Sequence, residues 1–272
     1  MTDVLSLFST SKVEYRLQLA EDLLAGLAAG SVQMVVTDPP YGISYQSNYC
    51  KDGKRKPISS DWNFQIGPFL QEVLRVLKPG GVCYLFTRWD VYPVWVRELP
   101  SGLELKNFIA WVKDNHSAGD LTGNFGFKWE GIMVLTKGRH QLRGMRWPNV
   151  WEFPRVPFKQ QLHPAEKPVG LIRRALEASS DEGDLVVDPF AGSGATGEAA
   201  RSCGRDVLLG DVDPDYVRKG RLRLDLPVDD LAPVVAPTPP SSRYTPQLCL
   251  DALEGVHPED IAALVAHFRA ST

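Results

Sequence analysis

Two hydrophobic rhythms alternate along the chain. Runs with the spacing or unbroken apolar character of strands occur at Tyr15 to Ala20, Gln33 to Thr37, Val82 to Thr87, Leu105 to Lys113, Gly131 to Lys137, Asp184 to Val187 and Asp206 to Leu209. Between them lie stretches with helical spacing. Phe69, Leu70, Val73, Leu74 and Leu77 fall on one face of a helix that Gly80-Gly81 should end. A second helix is predicted to begin near Pro168 and to bury Leu171, Ile172, Ala175 and Leu176; a third begins in the Gly-rich stretch after Phe190. Strands alternating with helices predict an α/β protein, with seven strands in a sheet covered by helices.

The pattern breaks from Leu226 to Gln247, where Pro227, Pro233, Pro237, Pro239, Pro240 and Pro246 predict an extended linker. Beyond it, Leu248 to Leu253 and Pro258 to Phe268 read as two short helices. The expected organisation is a main domain over 1–225, a linker over 226–247 and a small helical appendage over 248–272. Seven acids against two basic residues from Asp225 onward would repel phosphate, so this tail is expected to face protein or solvent.

With 272 residues, 43% of them hydrophobic and 23% charged, the chain can bury a full core, which rules out disorder throughout, collagen and coiled coil. Cys50, Cys83, Cys203 and Cys249 form no Cys-x-x-Cys pair, which argues against a disulfide framework or structural zinc. Met1 to Phe8 lacks the basic start and apolar run of a signal peptide, and no run approaches a membrane span. A soluble cytoplasmic protein with no membrane partner is expected.

A net charge of −3 means that any polyanion must be held by a local basic patch. Two segments offer one. Gly42 to Asp61 is polar and carries Lys51, Lys54, Arg55 and Lys56. Lys137 to Gln160 sets Lys137, Arg139, Arg143, Arg146, Arg155 and Lys159 against the single acid Glu152, a local +5, interleaved with Trp147, Trp151, Phe153 and Phe158. Cations hold phosphate and rings stack on bases. A solvated loop whose Trp residues are anchored in the core would show the same composition.

The sharpest motif is Asp38-Pro39-Pro40-Tyr41, directly after the apolar run Val32 to Thr37. Two prolines fix the backbone and remove N–H groups, so the loop can aim a carboxylate, a carbonyl and a ring at one planar ligand. The second motif runs from Asp188 through Phe190 to Gly197, again after an apolar strand. Gly192, Gly194 and Gly197 spell G-x-G-x-x-G, and Asp211 follows the next strand, 19 residues beyond Gly192. Backbone N–H groups in such a loop approach a nucleotide while the acid binds ribose hydroxyls. The pattern suits a nicotinamide dinucleotide equally well, and a tight strand-to-helix crossing with no ligand would also produce it.

In this order, the two loops resemble the amino-methyltransferases of DNA, in the permuted group whose target-base motif precedes the cofactor motif. Leu74 to Gly81, Ala110 to Asn115, His163 to Pro168 and Asp213 to Tyr216 are similar to further segments of that family, so the likeness covers residues 15 to 224. Ala195-Thr196 departs from the two Thr common in relatives, which affects one side-chain contact and not the loop.

The resemblance implies a doubly wound, mostly parallel Rossmann-like sheet, S-adenosylmethionine as cofactor, no metal, and methyl transfer to N6 of an adenine flipped out of double-stranded DNA. It implies that Asp38 and the Pro39 carbonyl grip the amine, with Pro40 stiffening the loop and Tyr41 stacking on the base. Asp188, Phe190, Gly192, Ser193, Gly194, Thr196 and Asp211 would hold the cofactor. Lys167 is a further candidate there, or else a helix-capping cation. Asp22, in an acid pair with Glu21 at the end of the first strand, is another, or else a favourable charge at a helix N-terminus. Lys54, Arg55, Lys56, Arg139, Arg143, Arg146 and Trp147 are the candidates for DNA contact, which would place the protein on the nucleoid when bound. The basic aromatic segment at 137–162 is short for target recognition, which leaves room for a second subunit. N4 of cytosine, a nicotinamide oxidoreductase and a catalytically silent DNA-binding relative are the rival readings.

Overall fold

Val32–Thr37 (β2) is buried along its whole length, as a strand covered on both faces must be. Around it the chain forms β1 (Val13–Leu17), β3 (Leu77–Thr87), β4 (Glu104–Val112), β5 (Trp129–Thr136), β6 (Val150–Glu152), β7 (Leu185–Asp188) and β8 (Asp206–Asp211). These make one eight-stranded sheet in the order β1-β8-β7-β2-β3-β5-β4-β6. β5 runs antiparallel to β3 and β4, and every other pairing is parallel. The computed structural model describes residues 11–41, 64–116, 122–123, 125–157, 159–163 and 165–228. The chain divides into two units, Met1–Ala236 and Pro237–Thr272, and the described residues lie in the first. Lys54, Arg55 and Lys56, the linker beyond Val228 and the appendage lie outside them.

Side-chain alternation sends the two faces of the sheet to two cores. Met34, Val36, Tyr84 and Phe86 pack with α4 (Val169–Ser179) and α5 (Ala195–Ser202), and with Val217 of α6 (Pro214–Arg223). Val35, Cys83 and Leu85 pack on the other face with α1 (Ala20–Ala25), α2 (Ile66–Val76) and α3 (Tyr92–Arg97). The sheet is thus doubly wound and mostly parallel, as expected. No helix among the described residues is long and apolar enough to cross a membrane.

Three expectations need correction. The sheet has eight strands rather than seven, because β6 forms inside the basic aromatic segment and pairs with β4; three residues are too few to show a period. The first predicted strand stops at Leu17, and Ala20 opens α1. The helix over Phe69 ends at Val76, not at Gly80-Gly81, which runs inside β3. Pro79 explains that early stop, since neither it nor the residue before it can continue a helix, and Lys137 caps the freed end by donating to the carbonyls of Leu74 and Leu77, both at 2.8 Å.

Candidate active site

Strand order creates the site. β2 and β7 are hydrogen-bonded neighbours, yet the chain leaves β2 towards β3 and leaves β7 towards β8. Connections that diverge above adjacent parallel strands open a crevice at their carboxyl ends. Asp38 follows β2 and Asp188 ends β7, so the two sequence motifs, 150 residues apart, meet there. A cavity open to solvent is lined by Thr37 at the end of β2 and Asp38 after it, and by Phe190 to Ser193 and Thr196 after β7. His163 and Ala165 to Lys167 complete its wall.

Each wall is fixed by buried hydrogen bonds. Asp188 accepts from the hydroxyls of Thr37 at 2.9 Å and Thr196 at 2.6 Å, tying the two loops together. Burial raises its pKa to about 7 against those bonds. Gly192 and Gly194 adopt φ of +52° and +79°, the left-handed region in which a side chain is strained. Gly197 is glycine for space: a Cβ there would meet Leu209 Cδ1 at 2.7 Å. Asp211 accepts from the N–H groups of Gly192 and Asp213, both at 2.9 Å, and burial lifts its pKa to about 6. The hydroxyl of Tyr15, in β1, donates to the Gly192 carbonyl and holds the loop from behind. Phe190 meets Phe64 edge-on at 5.4 Å, and Ser193 is buried.

Asp38 stands in an ion-pair chain. Its Oδ1 accepts from the Tyr41 hydroxyl at 2.7 Å, and its Oδ2 pairs with Lys167 Nζ at 2.5 Å. Lys167 also lies 3.4 Å from Glu130 Oε2, and Glu130 pairs with Lys113. Burial works against the Lys167 charge, but Asp38 and Glu130 outweigh it and raise its pKa. Burial likewise opposes the Glu130 charge; Lys167 and Lys113 nevertheless hold its pKa down at about 2. Tyr41 packs on Trp95 with ring centroids 5.7 Å apart, and burial raises its pKa. Lys167 is therefore a buried partner of Asp38 and Glu130 rather than an exposed cation.

The loop from His163 to Pro168 is anchored by Glu166. Its carboxylate accepts from Leu162 N–H at 2.8 Å and pairs with Arg223 of α6 at 2.7 Å; Arg223 also pairs with Glu198 of α5. The His163 ring packs edge-on against Tyr216 at 4.3 Å and covers Gly192, and burial lowers its pKa to about 4.

The DNA methylase family (N6_N4_Mtase) matches residues 32–221, which span both motifs and the cavity between them. The chain belongs to that family. It is 28% identical over 237 residues to the DNA adenine methyltransferase YhdJ of Escherichia coli (strain K12), covering 75% of this chain and 79% of the relative. It is 29% identical over 230 residues to the Type II methyltransferase M.HpaI of Haemophilus parainfluenzae, covering 74% and 71%. The fold matches the crystal structure of the M1.HpyAVI–SAM complex, with 20% identity, a TM-score of 0.59, and coverage of 78% of this chain and 100% of that one. It also matches the PvuII DNA methyltransferase (cytosine-N4-specific), with 18% identity, a TM-score of 0.65, and coverage of 79% and 87%.

For this DNA methylase the candidate nucleic-acid residues divide sharply. Thr136 of β5 pairs with Val82 while Gly131 pairs with Thr87, so the turn after β5 lies where the parallel strands begin. Asp38 lies at the other end, roughly 17 Å away along the strands. Arg139 and Arg143, candidates for DNA contact, are on that far turn. Arg143 pairs with Asp181 at 3.0 Å, and its N–H donates to Ala178. Trp147 lies against the Arg174 guanidinium at 4.7 Å; it and Arg146 are exposed, and neither lines the cavity. Trp151 and Phe153 belong to the core, as the alternative reading of this segment held.

Asp22, the further cofactor candidate, stands where its alternative reading as a helix N-terminal charge put it. It lies with Glu21 in the first turn of α1, exposed, and does not line the cavity. Sequence reasoning missed Glu130, Tyr15, Thr37 and Arg223. Glu130 did carry a signal, as the one charged residue of an otherwise apolar strand.

Proposed function

We propose that this DNA methylase transfers a methyl group from S-adenosylmethionine to N6 of an adenine in double-stranded DNA. The observation that carries this reading is that Asp38 and the Phe190 to Thr196 loop line one cavity. The leading Asp of Asp38 to Tyr41 and the likeness to an adenine methyltransferase favour adenine over cytosine.

The residues present fit the cofactor. α5 opens on Gly194 without a side-chain cap, leaving N–H donors for a carboxylate. Gly192 lines the cavity without a side chain, Gly194 lets the loop pack on Gly220 of α6, Phe190 offers a ring, and Asp211 offers its carboxylate at the end of β8. When bound, S-adenosylmethionine supplies an electrophilic methyl on positively charged sulfur.

The exocyclic amine is a poor nucleophile because its lone pair is delocalised into the ring. Acceptors that grip both N–H bonds favour the pyramidal nitrogen and free that pair. Asp38 and the Pro39 carbonyl, which has no N–H following it at Pro40, are those acceptors. Asp38 also receives the proton that the methylated nitrogen gives up. The base reaches them only when extruded from the duplex, and Tyr41 exchanges its contact with Trp95 for the base. At the same end of the sheet, the exposed Trp89 stacks on Phe127 at 6.1 Å and offers rings to DNA.

The test is to methylate unmodified duplex DNA with labelled S-adenosylmethionine and to digest it to nucleosides. N6-methyldeoxyadenosine is expected. N4-methyldeoxycytidine, or no labelled nucleoside, overturns the reading.

A further inference from the structure

Both oxygens of Asp38 are engaged before any base arrives, Oδ1 by Tyr41 and Oδ2 by Lys167. An amine can claim Oδ2 only if the ammonium gives way. Lys167 is almost wholly buried, with the Phe86 ring 5.1 Å from Nζ, so moving it off Asp38 without another counter-charge would strand a buried cation. A second carboxylate is already in place. Glu130 Oε2 lies 3.4 Å from Nζ, is sealed from solvent although a quarter of the side chain is exposed, and accepts no hydrogen bond. Its other oxygen is held by Lys113, which fixes the side chain.

We propose that Glu130 is a positioning residue that receives Lys167 when the target amine docks on Asp38, so that the acceptor carboxylate opens without leaving a charge bare. This rests on the reading of Asp38 as amine acceptor. The cluster of Asp38, Lys167, Glu130 and Lys113 is neutral as a set, and the exchange shifts one ammonium between two carboxylates without changing that sum. The partly satisfied state of Glu130 is then the feature that makes the exchange possible.

The test is a double-mutant cycle in the full chain, with duplex DNA and S-adenosylmethionine. Glu130→Gln is expected to lower kcat about tenfold or more while the Kd for S-adenosylmethionine and the KM for DNA change less than about twofold. Adding Lys167→Met removes the obstructing ammonium and is expected to recover kcat about fivefold over Glu130→Gln alone. Wild-type kcat in Glu130→Gln, or no recovery in the folded double variant, overturns the proposal. Should the variants fail to fold, a structure of the wild-type protein on the duplex it methylates decides: Nζ nearer Glu130 than Asp38 supports the exchange, and Nζ still on Asp38 with the base extruded overturns it. Full activity in Asp38→Ala would overturn the reading of Asp38 itself, whereas an inactive Asp38→Ala beside a fully active Glu130→Gln overturns the Glu130 proposal alone.

Discussion

The two ends of the sheet carry similar side chains in opposite arrangements. At the end where the parallel strands begin, the partly exposed pairs Arg143–Asp181 and Lys78–Asp184 accompany side chains bound to backbone. Lys137 caps α2 and Arg205 donates to the carbonyl of Ser180, while His140, whose pKa burial lowers, sets Nδ1 2.8 Å from the Gly80 carbonyl. At the end where those strands finish, charge meets charge: Lys167 on Asp38 and Glu130, Arg223 on Glu166. A carbonyl left by its cation is an orphaned helix end, so the first arrangement is structural. A buried ion pair can release one partner only where a second counter-charge stands beside it, as Glu130 stands beside Lys167, and there the arrangement can respond to a substrate.

Experiments can break that contrast. The largest effect is expected from Asp38→Ala, which should lower methyl transfer about 100- to 1,000-fold, as loss of a preorganised polar group does, with S-adenosylmethionine affinity unchanged by calorimetry. Tyr41→Ala should cost about 1–3 kcal/mol of base holding, read as weaker productive binding of duplex with the cofactor site intact. Unchanged kinetics would leave Tyr41 as a partner of Trp95 and nothing more.

A pH experiment sharpens the same contrast. Burial raises the pKa of Asp188 to about 7, above its unfolded range near 4. The folded state therefore keeps a proton that the unfolded state has released, and this residue costs stability progressively as pH rises from about 4 to 7. Asp188→Asn removes that cost. The Tm difference between variant and wild type should move in the variant's favour over this window; a difference independent of pH would mean that the carboxyl is ionised throughout. His163 works in the opposite sense. With a folded pKa of about 4, it contributes stability that is lost as pH falls from about 6.5 to 4.

The smallest effect is expected from the far end. The double substitution Arg139→Ala and Arg143→Ala should leave methylation and the salt dependence of DNA binding unchanged, because these residues lie on the turn remote from Asp38. A salt slope reduced by about 1 for each cation removed would put phosphate on that turn after all.

The strands were legible where burial on both faces or strict alternation left an unmixed signal, as in Val32–Thr37 and Leu185–Asp188. The three-residue β6 and the six-residue α1 and α3 were not, since a period cannot be read in two turns or fewer. The basic aromatic segment shows the limit more plainly. Its composition is the same whether its rings face DNA or the core, and Trp151 and Phe153 turned inward while Trp147 stayed out.

Local chemistry is written along the chain: an acid before two prolines, glycines where the backbone turns left-handed, an acid 19 residues beyond the first of them. Those identities determined that two loops with these donors and acceptors follow apolar strands. Only strand order decided that they face each other, because β2 and β7 become neighbours through pairing across 152 residues. Folding likewise set Glu130 beside Lys167 and carried Arg139 to the far end. The physical reason is that charge acts over a few ångströms in space, and the sheet, not the spacing along the chain, sets those distances.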